Sequence, residues 1–222
     1  MNSVSNKNAA FSALVSEVQA CTKCARMLNS ARVLNHSAGN LNAELFFVGE
    51  APGRLGADKT KVPFHGDVAG RNFENLIAFA EISRNDIFVT NAVLCNPKDE
   101  RGNNSTPTLS EAANCQAFLK RQIVLVNPKI VIALGAKAIR ALACIEPHRL
   151  SLNQHVRTIH TWFGRQLILL YHPGQRAMIH RSFENQRLDY QFVAKQQRQL
   201  GRIRFGPVAR HQYGPNGVGG NH

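Results

Sequence analysis

The sequence predicts an α/β fold of the doubly wound kind: a mainly four-stranded parallel sheet flanked by helices. Two observations predict it. Four short β-rich runs are apolar almost throughout rather than alternating, as central strands covered on both faces are. Between them lie segments of helical character, so the chain alternates strand and helix. The 222 residues, 44% of them hydrophobic, suffice for one domain with a full core, expected over residues 1–200.

The elements follow in order. "ELFFVGE" (44–50) reads as the first strand and "RNFENLIAFAEI" (71–82) as the helix after it. "DIFVTNAVLC" (86–95) is the second strand. "LSEAANCQAFLKRQIVLV" (109–126) is a helix with Thr108 or Ser110 as its N-cap and Asn127-Pro128 as its stop. "KIVIALG" (129–135) is the third strand, "GAKAIRALACI" (135–145) a helix, and "QLILLYHP" (166–173) the fourth strand. In open sheets of this kind ligands bind at the carboxyl ends of the strands. Three of the four ends here carry unusual residues: Gly49-Glu50, Asn91 and His172-Pro173.

Charge narrows the partner. With 27 Lys and Arg against 14 Asp and Glu, the formal charge is +13, which favours a polyanion. After Asp189 there is no acid, while Lys195, Arg198, Arg202, Arg204 and Arg210 follow. Residues 201–222 are therefore expected to be a basic, Gly-rich, mobile tail. No stretch is apolar and long enough to cross a bilayer, and "MNSVSNKNAA" lacks the apolar core of a secretory signal, so the expectation is a cytoplasmic protein without membrane attachment.

Five cysteines in such a chain suggest metal or catalysis rather than disulfides. Cys21 and Cys24 form C-x2-C; Cys95 closes the second strand and Cys115 lies on the next helix. Four thiols can hold a [4Fe–4S] cluster or a structural zinc ion, and spacing does not choose between them. Cys144, in "RALACIEP", is expected to be a core thiol.

"GEAPG" after a strand, "PF" shortly after it, "TNAVLC" on the second strand, "VIALGAKA" on the third and "YHP" on the fourth occur in one unbroken order. Together they resemble the uracil-DNA glycosylases of the iron–sulfur classes, families 4 and 5. "GEAPG" and "CTKC" are similar to family 4, whereas "GADKTKVPFHGDVAG" has the spacing and acidic turn of family 5. The fourth motif departs from both, since Gly174 stands where those families usually have serine.

The resemblance implies removal of uracil from DNA, and with it a [4Fe–4S] cluster on Cys21, Cys24, Cys95 and Cys115, zinc being the lesser alternative. Cleaving an N-glycosidic bond in a duplex requires the base to leave the stack for a pocket with a π-face and a hydrogen-bonding edge. Phe64 suits the stacking and Asn91 the Watson–Crick edge, with Gly49 and Ala51 beside them in the motif; other uracil glycosylases have aspartate at the position of Ala51. His172 suits the donor to the departing base. Glu50 or Asp67 suits the carboxylate that positions water and favours a cationic sugar, and the mixed sequence leaves the choice between them open.

The segment "GQRAMIHRSFENQ" (174–186) is expected to be the loop that enters the minor groove. Met178 or Ile179 would be its wedge, and Arg176, His180 and Arg181 would grip phosphates. The expected partner is uracil-containing DNA, met by a monomer. Two other classes compete: a cluster- or zinc-bearing nucleic-acid-binding module without glycosylase activity, and a nucleotide-dependent oxidoreductase. The second lacks any G-x-G-x-x-G after a strand. A related branch traps itself covalently on DNA through a histidine in the loop after the second strand; "NPKDERGNNSTPT" has none, so turnover is expected.

Overall fold

In the computed structural model, which describes residues 2–203, a five-stranded sheet has the order β2-β1-β3-β5-β4. The helices are α1 (Asn2–Gln19), α2 (Ala57–Thr60), α3 (Val68–Phe79), α4 (Leu109–Val126), α5 (Ala136–Ile145), α6 (Leu152–His155) and α7 (Phe183–Ile203). Strands β1 (Leu45–Gly49), β2 (Ile87–Asn91), β3 (Ile130–Leu134) and β5 (Arg165–Leu170) are mutually parallel, and β4 (Ile159–Trp162) runs antiparallel along the edge of β5.

All residues of β1, β2 and β3 are buried, which is why these runs show no alternation in sequence. The strand period of two sorts them between two cores. Phe46, Val48, Phe88, Val131, Ala133, Leu167 and Leu169 meet Phe11, Leu14 and Val18 of α1, Leu119 and Ile123 of α4, and Leu142 of α5. Leu45, Phe47, Ile87, Val89, Ile130, Ile132, Ile168 and Leu170 meet Phe73, Leu76 and Ile77 of α3, and Tyr190 and Val193 of α7. The sheet is thus covered on both faces, and the four expected strands and three expected helices are present.

Five elements were not anticipated, the one-turn helices α2 and α6 among them. Helix α1 buries Phe11, Leu14 and Val18, whose spacing marks one helical face. The edge strand β4 turns into β5 through Phe163 and Gly164, both at positive φ (49° and 66°), as a two-residue hairpin of the twist-matched kind requires. Helix α7 begins at Phe183, so the expected loop over 174–186 is shorter than read, and it runs to Ile203, into the expected tail. The rest of that tail, 204–222, lies outside the described residues. Among the described residues no helix is long and apolar enough to cross a membrane.

Candidate active site

The parallel strands all end on one side of the sheet, with Gly49 opposite Asn91 and Leu134 opposite Leu170. The chain passes from β1 to β2 on one flank and then to β3 on the other, and this reversal opens a crevice beside the end of β1. A cleft of about 540 Å³ lies there. Its lining includes Glu50, Ala51, Phe64, Asp67, Asn91, His172 and Arg176, so residues up to 126 positions apart in sequence face one space.

Strand β1 ends at Gly49 because nothing larger fits. A Cβ there would stand 2.5 Å from Asn91 Oδ1 and 2.6 Å from Phe64 Cε2. Phe64 is both a cleft residue and a core residue. It is 7% exposed, with its ring centroid 5.0 Å from Phe73 and 5.5 Å from His172, and it holds a positive φ of 52°. The stacking candidate is thus also a core residue, with its ring anchored against Phe73. Asn91, 2% exposed, lines the cleft, and its amide makes no hydrogen bond among the described residues, leaving donor and acceptor available.

The two acids differ in their surroundings. Asp67 is the N-cap of α3, where its Oδ1 accepts from the Gly70 N–H at 2.8 Å. Its Oδ2 occupies the space that a Cβ on Gly53 or Gly56 would fill, at 2.4 and 2.5 Å, so the "GEAPG" turn and the "GADKT" turn wrap this carboxylate. Glu50 follows β1 and is half-buried. Desolvation raises its pKa, opposed by the nearby Lys137 ammonium and by the nearby Thr106 side chain. Lys137, although it lies within "VIALGAKA", and Thr106 were not singled out from sequence, since nothing in their spacing pairs either of them with Glu50.

His172 is oriented by the backbone. Gly174 N–H donates to its Nδ1 at 2.9 Å, so the proton of the neutral ring sits on Nε2. Enclosure holds its pKa down at about 4, against a smaller opposing pull from Asp67. A Cβ at position 174 would stand 2.8 Å from Nδ1, which accounts for glycine at this point.

Beyond it, Gln175–Ile179 forms a 3-10 turn on the rim of the cleft. Ile179 is 85% exposed, Met178 is half-buried, and Arg176 is exposed at the cleft. Arg181 is engaged elsewhere: its guanidinium holds buried Asp189 through Nε–Oδ2 (2.9 Å) and Nη2–Oδ1 (2.5 Å), a bidentate pair that ties the rim to α7.

Three of the four candidate cysteines meet at one small apolar cluster. Cys24, Cys95 and Cys115 border a small apolar cluster with Met27 and Val93, which Ala51 also joins. Cys21 is near enough to interact electrostatically with Cys95 and Cys115. Burial first, with the neighbouring thiols adding to it, pushes the thiols of Cys95 and Cys115 up to about 12 and about 11. Among the described residues no three His, Cys, Asp or Glu side chains gather closely enough to hold a single metal ion. Cys144 is exposed, which corrects its expected core position: α5 buries Ala138, Ile139 and Leu142, and position 144 falls on the opposite face.

A family model described as the uracil DNA glycosylase superfamily matches residues 36–194, a span that holds all five strands and the cleft. The type-4 uracil-DNA glycosylase of Thermotoga maritima is 37% identical over 163 residues, covering 72% of this chain and 80% of the relative. That of Archaeoglobus fulgidus is 32% identical over 166 residues, with the same coverage of 72% and 80%. The type-5 uracil-DNA glycosylase of Pyrobaculum aerophilum is 31% identical over 149 residues, covering 61% of this chain and 63% of the relative. On the extent of these matches, the chain belongs to the uracil DNA glycosylase superfamily.

Proposed function

We propose that this protein removes uracil from DNA by hydrolysing the bond between the base N1 and the sugar C1′ after the nucleotide has been flipped out of the duplex. The observation that carries the reading is the convergence of Glu50, Phe64, Asp67, Asn91 and His172 on one cleft. Phe64 offers a ring face for stacking, and the unengaged Asn91 amide matches the O4 and N3–H edge of uracil. As the C1′–N1 bond breaks, its electron pair leaves with the base, and His172 Nε2–H donates to the developing oxyanion at O2. The neutral, backbone-fixed ring does this without reorganising.

Water completes the reaction at C1′. A carboxylate beside the oxocarbenium-like sugar favours its positive charge and takes the proton of the attacking water. Glu50 and Asp67 both border the cleft, and Glu50, free of a capping role, is the better base. Ile179 at the rim suits a wedge into the emptied stack, with half-buried Met178 behind it, and Arg176 suits a phosphate contact.

The reading includes a [4Fe–4S] cluster held by Cys21, Cys24, Cys95 and Cys115. The donor set fits: four soft thiols, two of them in a C-x2-C pair, pack against apolar side chains, where thiolate charge needs a cation. The cluster would knit α4, the segment after β2 and the segment after α1 into one support beneath Ala51. The protein would act as a monomer in the cytoplasm, where thiols stay reduced.

The test is a labelled duplex with one U·G pair, incubated with the protein and then treated with hot alkali. Strand scission at the uracil supports the reading. An intact strand despite tight binding would convert the protein into a nucleic-acid-binding module.

A further inference from the structure

The peptide unit between Pro173 and Gly174 has both polar atoms engaged by residues of the cleft region. Its carbonyl oxygen, on Pro173, accepts from Asn72 Nδ2 at 2.7 Å. Its N–H, on Gly174, donates to His172 Nδ1 at 2.9 Å. A peptide unit is planar and turns as one body, so what fixes the carbonyl also fixes the N–H. We propose that Asn72 is a positioning residue for His172: by holding the Pro173 carbonyl it aims the Gly174 N–H at Nδ1 and keeps the imidazole in the tautomer that carries its proton on Nε2. This rests on the reading of His172 as the donor to the departing base.

The local sequence explains why such a hold is needed. The plane turns about ψ of Pro173 and φ of Gly174. Proline restricts only its own φ, and glycine accepts almost any φ, so this peptide is unusually free to flip. A flip would carry the N–H away from Nδ1 and bring the carbonyl oxygen toward it, which favours a proton on Nδ1 and leaves Nε2 without one. Asn72 opposes the flip with a partly buried hydrogen bond across 101 positions of sequence. A donor bonded to the carbonyl also polarises the N–H of the same unit and strengthens its bond to Nδ1. Asn72 is fixed in turn by α3, whose N-cap is Asp67, so the helix that begins at one candidate acid also sets the candidate donor.

The experiment combines imidazole ¹⁵N NMR of the DNA-free protein with single-turnover uracil release, for wild type, Asn72→Leu and Asn72→Asp. Leucine deletes the donor; aspartate keeps the shape but turns an acceptor on the carbonyl. The wild-type His172 signals should show a protonated Nε2 and a bare Nδ1. Both variants should shift them toward a mixture of tautomers and slow release about tenfold or more, with affinity for undamaged duplex unchanged. Should Asn72→Leu fail to fold, Asn72→Asp carries the comparison alone. Unchanged His172 nitrogen shifts in a folded variant would overturn the proposal. If wild type released no uracil, the glycosylase reading would fall, while the nitrogen shifts would still decide whether Asn72 sets the tautomer.

Discussion

Gly49 and Phe64 touch so closely that a Cβ on the glycine would lie 2.6 Å from the phenyl Cε2. The end of strand β1 therefore acts as the floor on which the ring rests. Gly49→Ala must push aside both that ring and the Asn91 amide, and overpacking of this kind costs about 1–3 kcal/mol. If that cost falls on the transition state, uracil release by the alanine variant should fall about 5- to 150-fold, each about 1.36 kcal/mol being a factor of ten. Binding to undamaged duplex, which depends on phosphates, should persist and weaken steeply with salt. A variant as fast as wild type in single turnover would show that Phe64 and Asn91 do not share the base pocket.

Much of this arrangement was legible in the sequence. Runs such as "ELFFVGE" declare a strand buried on both faces, and Thr108 with Glu111 forms the capping box that starts α4. Glu50, Asn91 and His172 line one cleft, as expected where parallel strands deliver their ends to one place. The misses have physical causes. Strand β4 is an edge with only Trp162 buried, so it lacks an apolar run. Cys144 looked buried because its neighbours are apolar, yet it lies off the buried face of α5. Arg181 read as a free cation because nothing in the sequence says that Asp189 is buried beneath it. Asn72 was invisible, since its partner is a backbone carbonyl 101 positions away.

Arg26 joins Glu111 through Nε–Oε1 (2.6 Å) and Nη2–Oε2 (2.7 Å), and also donates to the Thr106 carbonyl at 2.9 Å. It thus ties the segment after Cys24 to α4 and to the strand-β2 loop. The Arg26 guanidinium, with the Thr108 hydrogen bonds behind it, holds the Glu111 carboxyl at about 2, below its ordinary 4.5. A carboxyl depressed in the folded state stabilises above about 4.5, and that contribution is lost as pH falls toward 2. Glu111→Gln should lower the melting temperature by several degrees near neutrality, and its deficit should shrink in acid as wild type loses the same charge. A deficit independent of pH would assign the effect to packing instead.

His172 gives a second acid-sensitive window. Its folded pKa of about 4 lies below the ordinary 6.5, so unfolding takes up a proton between those values. The neutral ring's contribution is complete above 6.5 and declines as pH falls toward 4, by on the order of 1–3 kcal/mol. Denaturant unfolding of wild type and His172→Gln across this range should show the two curves converging toward acid. Parallel curves would mean that the ring is not held neutral.

The four cysteines predict a brown protein with broad absorbance in the visible. Cys95→Ser or Cys115→Ser should bleach it and lower its melting temperature, because a site with a missing ligand no longer ties α4 to the segment after β2. Iron and sulfide analysis should return about four of each per chain if the cluster is of the cubane kind. A colourless protein with one zinc ion per chain would replace the cluster with a structural metal.

The two acids can be separated because their structural duties differ. Asparagine caps a helix as well as aspartate does, so Asp67→Asn retains the bond from the Gly70 N–H and removes only charge. Glu50→Gln likewise keeps shape, and Glu50 has no cap to maintain. Loss of a positioned acid or base typically slows a reaction about 10²- to 10⁴-fold. Glu50→Gln should fall in that range under single-turnover conditions. Its carboxyl sits half-buried with a raised pKa, facing Lys137, whereas one Asp67 oxygen is already committed to α3. Asp67→Asn should cost less, since its charge acts on the sugar without taking a proton. His172→Ala should match Glu50→Gln in size by deleting the donor to the base. A larger loss at Asp67 than at Glu50 would move the water-activating role to the acidic turn, and wild-type rates in all three variants would remove this cleft from the chemistry.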